Sequence, residues 1–74
     1  MTYTDGVHLV ADTLDELHRF AREIGLKREW FQDHPRHPHY DLFKSKINRA
    51  LRNGAAPVGE WEVLERSLKM RGTL

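Results

Sequence analysis

The residues of this 74-residue chain that could do chemistry are its histidines and carboxylates, and their spacing concentrates them. His34, His37, His39 and Asp41 fall within a stretch of eight residues. In an extended segment side chains alternate, so His37, His39 and Asp41 would point to one side. His8 and Asp12 stand at the start and end of an apolar run, Leu9-Val10-Ala11, that could lie beside that segment. Neutral imidazoles and carboxylates are ligands of zinc, manganese or iron. His8, His37, His39 and Asp41 are therefore candidate ligands of a divalent metal. Their spacing matches neither the helical histidine pair of zincins nor a zinc finger.

The same residues permit acid–base chemistry. His39 beside Asp12 or Asp41 could move a proton near neutral pH, which makes these three the candidate catalytic groups. Arg36, Lys46 and Arg49 could hold a phosphate nearby. No glycine-rich phosphate loop, nucleophilic cysteine or Gly-x-Ser-x-Gly elbow accompanies them. A third use is nucleic-acid binding. Lys44, Lys46, Arg49 and Arg52 give four bases and no acid over nine residues, with Trp30, Phe31 and Tyr40 available for stacking. Each feature also has a plain structural reading. Asp12 and Asp41 suit helix starts, His18 sits at the edge of a helical stripe, and the four bases suit a solvated helix face.

Bulk composition narrows the setting. One domain fits this length, and a chain so short buries only about 60% of the surface its unfolded form exposes. There is no cysteine, so no disulfide supplements the core, and a reducing cytoplasm is the expected location. The longest uninterrupted apolar run has three residues, far too short for a membrane span or signal-peptide core. Net charge is +1, which gives no global pull toward nucleic acid. The charge is nevertheless graded: residues 1–26 hold five acids and two bases, and residues 27–52 hold seven bases and three acids.

The elements that must position these groups follow from periodicity. Residues 7–11 read as a strand, with a further strand before the Asp5-Gly6 turn. Thr13 and Glu16 stand at capping-box spacing. Leu14, Leu17, Ala21 and Ile24 then form one helical stripe, and Gly25 terminates a helix over 13–24. Residues 27–32 suggest a short strand parallel to the first, completing a right-handed crossover. Two prolines make 33–39 a loop. A second helix is expected from Asp41 or Leu42 to Asn53, with Phe43, Ile47, Ala50 and Leu51 inward. A third is expected over 58–71, closed by Gly72, with Val58, Trp61, Leu64 and Leu68 inward. Val63 and Met70 would then lie on its outer side, a possible homodimer contact. The expected fold is α+β: three helices packed on a small two- or three-stranded sheet with one βαβ-like crossover.

Two motifs carry a resemblance. His8-Leu9-Val10-Ala11-Asp12-Thr13-Leu14-Asp15-Glu16-Leu17-His18 and Pro38-His39-Tyr40-Asp41-Leu42, with Gly25-Leu26 and Glu29-Trp30-Phe31-Gln32 between them, resemble the bacterial and phage family called domain of unknown function 4031. The resemblance spans roughly residues 2–56. The basic, tryptophan-bearing segment that family members tend to carry before the His-Leu strand is missing or trimmed here, and Phe43-Lys44 stands where they usually show a Thr-Pro helix start. The family implies no activity, but His8, Asp12, His18, His39, Tyr40 and Asp41 match its motif positions. The expectation is a small cytoplasmic accessory protein, associated by resemblance with phages or mobile elements. Its His/Asp surface (His8, Asp12, His18, Arg36, His39, Tyr40, Asp41, Arg49) would bind a metal, phosphate or nucleotide-like ligand. The alternative is a non-enzymatic interaction module using the basic face of the second helix.

Overall fold

Asp5 and Gly6 reverse the chain between two short strands, β1 (Thr2–Thr4) and β2 (His8–Ala11). Asp5 Oδ1 accepts hydrogen bonds from the amides of Val7 (2.9 Å) and His8 (2.8 Å), the side-chain mimicry of a backbone turn that aspartate favours. Gly6 supplies the positive φ of 97°. The computed structural model describes residues 1–70.

Helix α1 (Leu14–Glu23) begins where the sequence places it, with Thr13 Oγ1 accepting from the Glu16 amide at 3.1 Å. It ends in a Schellman motif: Gly25 takes φ 86°, its amide bonds the Arg22 carbonyl, and the Leu26 amide bonds the Ala21 carbonyl at 2.8 Å. Leu26 folds back into the core, as that motif requires.

Beyond α1 the chain differs from expectation. Residues 28–30 form a single 3-10 turn, leaving only Phe31–Gln32 as strand β3. After the proline-containing loop come β4 (His39–Asp41), α2 (Ser45–Arg52), β5 (Ala56–Pro57) and α3 (Glu60–Lys69). The sheet has five strands in the order β3-β4-β2-β1-β5, not two or three. It is mixed, because β1 pairs with β5 in parallel while the other three pairings are antiparallel. The expected parallel pairing across α1 is absent. β3 runs in the same direction as β2, but β4 lies between them and hydrogen-bonds to both. Asp41 is therefore a strand residue rather than a helix start, and α2 begins four residues later, after Lys44 takes a positive φ of 50°.

The third helix is rotated relative to the expected stripe. Val63, Ser67 and Met70 face the core, and Trp61 is 79% exposed. Val63 and Met70 are thus unavailable as an outer dimer contact. Ser67 interrupts the inward stripe and hides it from an apolar count. Its hydroxyl is satisfied, donating to the Leu64 carbonyl at 2.7 Å. The expected end of this helix at 71 and its closure by Gly72 lie outside the described residues.

Register sorts the sheet into two faces. His8 pairs with Asp41 and Val10 with Tyr3, so these four share a face with His39; Leu9, paired with Tyr40, lies on the other. Helix α3 covers part of the first face, its Arg66 guanidinium lying 4.1 Å over the Tyr3 ring. Helix α1 covers the second, where His18 meets the Phe31 and Tyr40 rings edge-on at 4.6 and 5.8 Å. No helix among the described residues is long and apolar enough to cross a membrane.

Candidate metal centre

Beyond the reach of α3, the first face carries three potential ligands from two adjacent strands. His8 and Asp41 are cross-strand partners, and His39 is two residues from Asp41 on the same face. One donor atom from each of His8, His39 and Asp41 lies within 4.8 Å of the others. The His8 and His39 rings meet edge to face at 5.1 Å. His39 Nε2 stands 3.2 Å from Asp41 Oδ1. Two ligands on one zinc ion at a tetrahedral angle are about 3.3 Å apart, so that pair already has the spacing of shared coordination. No pair need close by more than about 1.5 Å to reach the same value.

The partners of each imidazole fix which nitrogen is free. His39 Nδ1 lies 2.6 Å from the His37 carbonyl oxygen, which only accepts, so Nδ1 carries the hydrogen. His8 Nδ1 lies 3.0 Å from Asp5 Oδ2, again an acceptor. In the neutral form of either ring Nε2 is then the lone-pair nitrogen. Carboxylate and carbonyl partners on the far nitrogen are the outer-shell arrangement that orients metal-binding histidines. Burial alone would raise the Asp5 pKa, but hydrogen bonds from the His8 ring and the His8 and Val7 amides outweigh it and hold the carboxyl below its usual range. Asp5 thus stays ionised and ties the reversal between β1 and β2 to the orientation of His8. Sequence reasoning treated Asp5-Gly6 only as a turn. The available signal was its distance of three residues from His8, the spacing at which one carboxylate can serve both backbone and ring.

The other expected residues go elsewhere. Asp12, at the opposite end of β2, accepts from the Tyr3 hydroxyl (2.9 Å), the Met1 amine (3.0 Å) and Arg66 Nη1 (3.3 Å). The hydrogen bond from the Met1 amine, ahead of the one from Tyr3, holds its pKa below the usual value. A depressed carboxylate stabilises the fold above its unfolded pKa, and that contribution is lost as pH falls through the folded value. Because Asp12 is 45% exposed, solvent screening keeps the contribution below about 1 kcal/mol. Asp12→Asn should therefore lower the urea midpoint slightly at neutral pH, and the difference from wild type should shrink below about pH 4. An undiminished difference in acid would show that the network acts through shape rather than charge.

His37 does not join the cluster; its Nδ1 lies 3.3 Å from Ser67 Oγ, linking the loop to α3. His18 and Tyr40 contact each other on the opposite face, Nδ1 to hydroxyl at 2.9 Å. Arg36 is exposed on the loop beside His34 and His37. Lys46 Nζ donates to the Ile24 carbonyl at 3.3 Å, and Arg49 lies beside it near Gly25. These two cations therefore serve the carbonyl end of α1, where positive charge is favourable. Lys44 and Arg52 are exposed.

The fold and cluster together define a small α+β domain whose central strands present two imidazoles and a carboxylate on one open face. The chain belongs to the family described as protein of unknown function (DUF4031), whose family model matches residues 4–70. The match reaches past residues 2–56 and takes in α3. No curated protein matches the chain, and no solved structure does. The family description names no activity, so function is argued from the site.

Proposed function

We propose that the protein binds one divalent transition-metal ion through His8 Nε2, His39 Nε2 and an Asp41 carboxylate oxygen. The observation that carries this reading is the 3.2 Å contact between His39 Nε2 and Asp41 Oδ1 while Nδ1 of the same ring is committed to a carbonyl. A lone pair facing a carboxylate is favourable only with a proton or a cation between them. Two imidazoles and one carboxylate suit zinc, iron or manganese and leave coordination positions for water or an oxygen-bearing ligand. That open side is where a phosphate or other small polar ligand would meet the ion.

Titration of tag-free, chelator-treated protein with cobalt(II), followed by visible absorption, tests this. The expected result is saturation at one equivalent per chain, with zinc displacing cobalt. His8→Ala and His39→Ala should each weaken binding by more than about a hundredfold, since even outer-shell partners are worth 10–100-fold. His37→Ala should bind as wild type does, because His37 engages Ser67. Equal affinity in all four proteins would overturn the assignment.

A further inference from the structure

The second face of the sheet holds a hollow that the metal reading does not use. Its volume is about 310 Å³, and His18, Arg22, Leu26, Arg28 and Tyr40 line it. The size lies at the small end of ligand sites, enough for an anionic head and one ring. Two arginines are thus among the five residues that line a space this small. Neither Arg22 nor Arg28 takes part in the ion pairs that Asp5, Asp12, Glu16, Asp41 and Glu62 make. Arg28 lies over the Phe31 ring at 5.2 Å, a stacking contact that restrains its planar group.

The same hollow is lined by a hydrogen-bonded pair, His18 and Tyr40. Burial first, and then the Arg28 charge, lower the His18 pKa against the opposing pull of Asp15 and Asp33, so the ring stays uncharged near neutrality. The Tyr40 hydroxyl can donate to His18 Nδ1 across 2.9 Å, which puts the hydrogen of the neutral ring on Nε2. Leu26 and the Tyr40 ring are both buried and supply an apolar wall. Two arginines, a neutral donor and an apolar wall describe a ligand that is anionic at one end and flat at the other.

We infer that this hollow binds a small phosphate monoester, with the phosphate on Arg22 and Arg28 and the organic body against Leu26 and Tyr40. A phosphate matches two planar, multidentate guanidiniums better than a single carboxylate does, because it offers three oxygens and nearly two charges. The site does not depend on the metal: Tyr40 points to the opposite face from His39 and Asp41.

The test titrates chelator-treated protein with phenyl phosphate and follows the His18 ring protons by NMR. Saturable binding with a dissociation constant of about 1 mM or tighter is expected. Inorganic phosphate should bind more weakly because it lacks the ring, and benzoate more weakly because it lacks the second charge. Arg22→Gln and Arg28→Gln should each weaken phenyl phosphate binding at least tenfold, while Arg19→Gln, on the same helix outside the hollow, should leave it unchanged. Absence of saturation in the wild type would overturn the inference, as would equal weakening by Arg19→Gln. A clear preference for a 5′-phosphorylated oligonucleotide over phenyl phosphate would also overturn it, by assigning the hollow to a nucleic-acid end. Failure here leaves the cobalt titration untouched, since that experiment reads the other face.

Discussion

Zinc at about a hundredfold excess over its dissociation constant should raise the melting temperature by about 10–20 °C, and EDTA should reverse the shift. The size follows from linkage. A ligand bound only by the folded state stabilises by about 2.7 kcal/mol at that excess, and each kcal/mol moves the midpoint of a domain this small by about 4–8 °C. His8 and His39 come from strands separated by more than two dozen residues, so the unfolded chain has no preformed equivalent. His39→Ala should abolish the zinc-induced shift. Asp5→Asn offers a finer test, because it keeps an acceptor for the turn amides and removes the charge behind His8. Outer-shell losses of 10–100-fold in affinity would leave about 0.4–1.4 kcal/mol of zinc stabilisation at the same zinc concentration. The shift would then be roughly half of the wild-type value or less. Identical shifts in wild type, Asp5→Asn and His39→Ala would mean that zinc binds elsewhere.

The site was more legible in the sequence than the sheet that carries it. Types and alternation offered His8, His37, His39 and Asp41 as ligands with Asp12 beside them; His8, His39 and Asp41 converge, whereas His37 turns to Ser67 and Asp12 to Tyr3. Helix α1 was equally readable, since Thr13, Glu16 and Gly25 are local devices whose partners lie within a few residues. Strands β4 and β5 were hidden for the opposite reason. They have three and two residues, too few for a period to register, and they exist through pairing with β2 and β1. Pro57 argues against a strand by composition, yet β5 is an edge strand, where the missing amide is tolerated. Asp41 was ambiguous between a helix start and a strand because both uses favour a carboxylate beside a turn. The rotation of α3 turned on Ser67 and Arg66, polar residues whose inward or core-edge positions depend on His37, Tyr3 and Asp12. Those are tertiary partners that no window of α3 contains.

Leu17→Ala should lower the melting temperature of the metal-free protein steeply, and zinc should restore part of the loss. Leu17 is fully buried on α1, against the face of the sheet opposite the metal cluster. Removing its side chain costs about 2–5 kcal/mol through lost burial and the cavity left behind. At about 0.05–0.15 kcal/mol per residue, a domain this short has only about 4–11 kcal/mol to lose. Zinc at a hundredfold excess returns about 2.7 kcal/mol without touching the cavity. The two changes act on opposite sheet faces and share no partner, so their energies should add. Circular dichroism melts of wild type, Leu17→Ala and Leu17→Ala/His39→Ala, each with zinc and with EDTA, separate the contributions. Rescue of the single but not the double variant is the expected pattern. A loss below about 1 kcal/mol in Leu17→Ala would contradict the docking of α1 on the sheet. Equal rescue of the single and double variants would instead detach zinc from His39. The pattern thus tests one physical link: the cluster forms only when β2 and β4 pair, and α1 holds that pairing from behind.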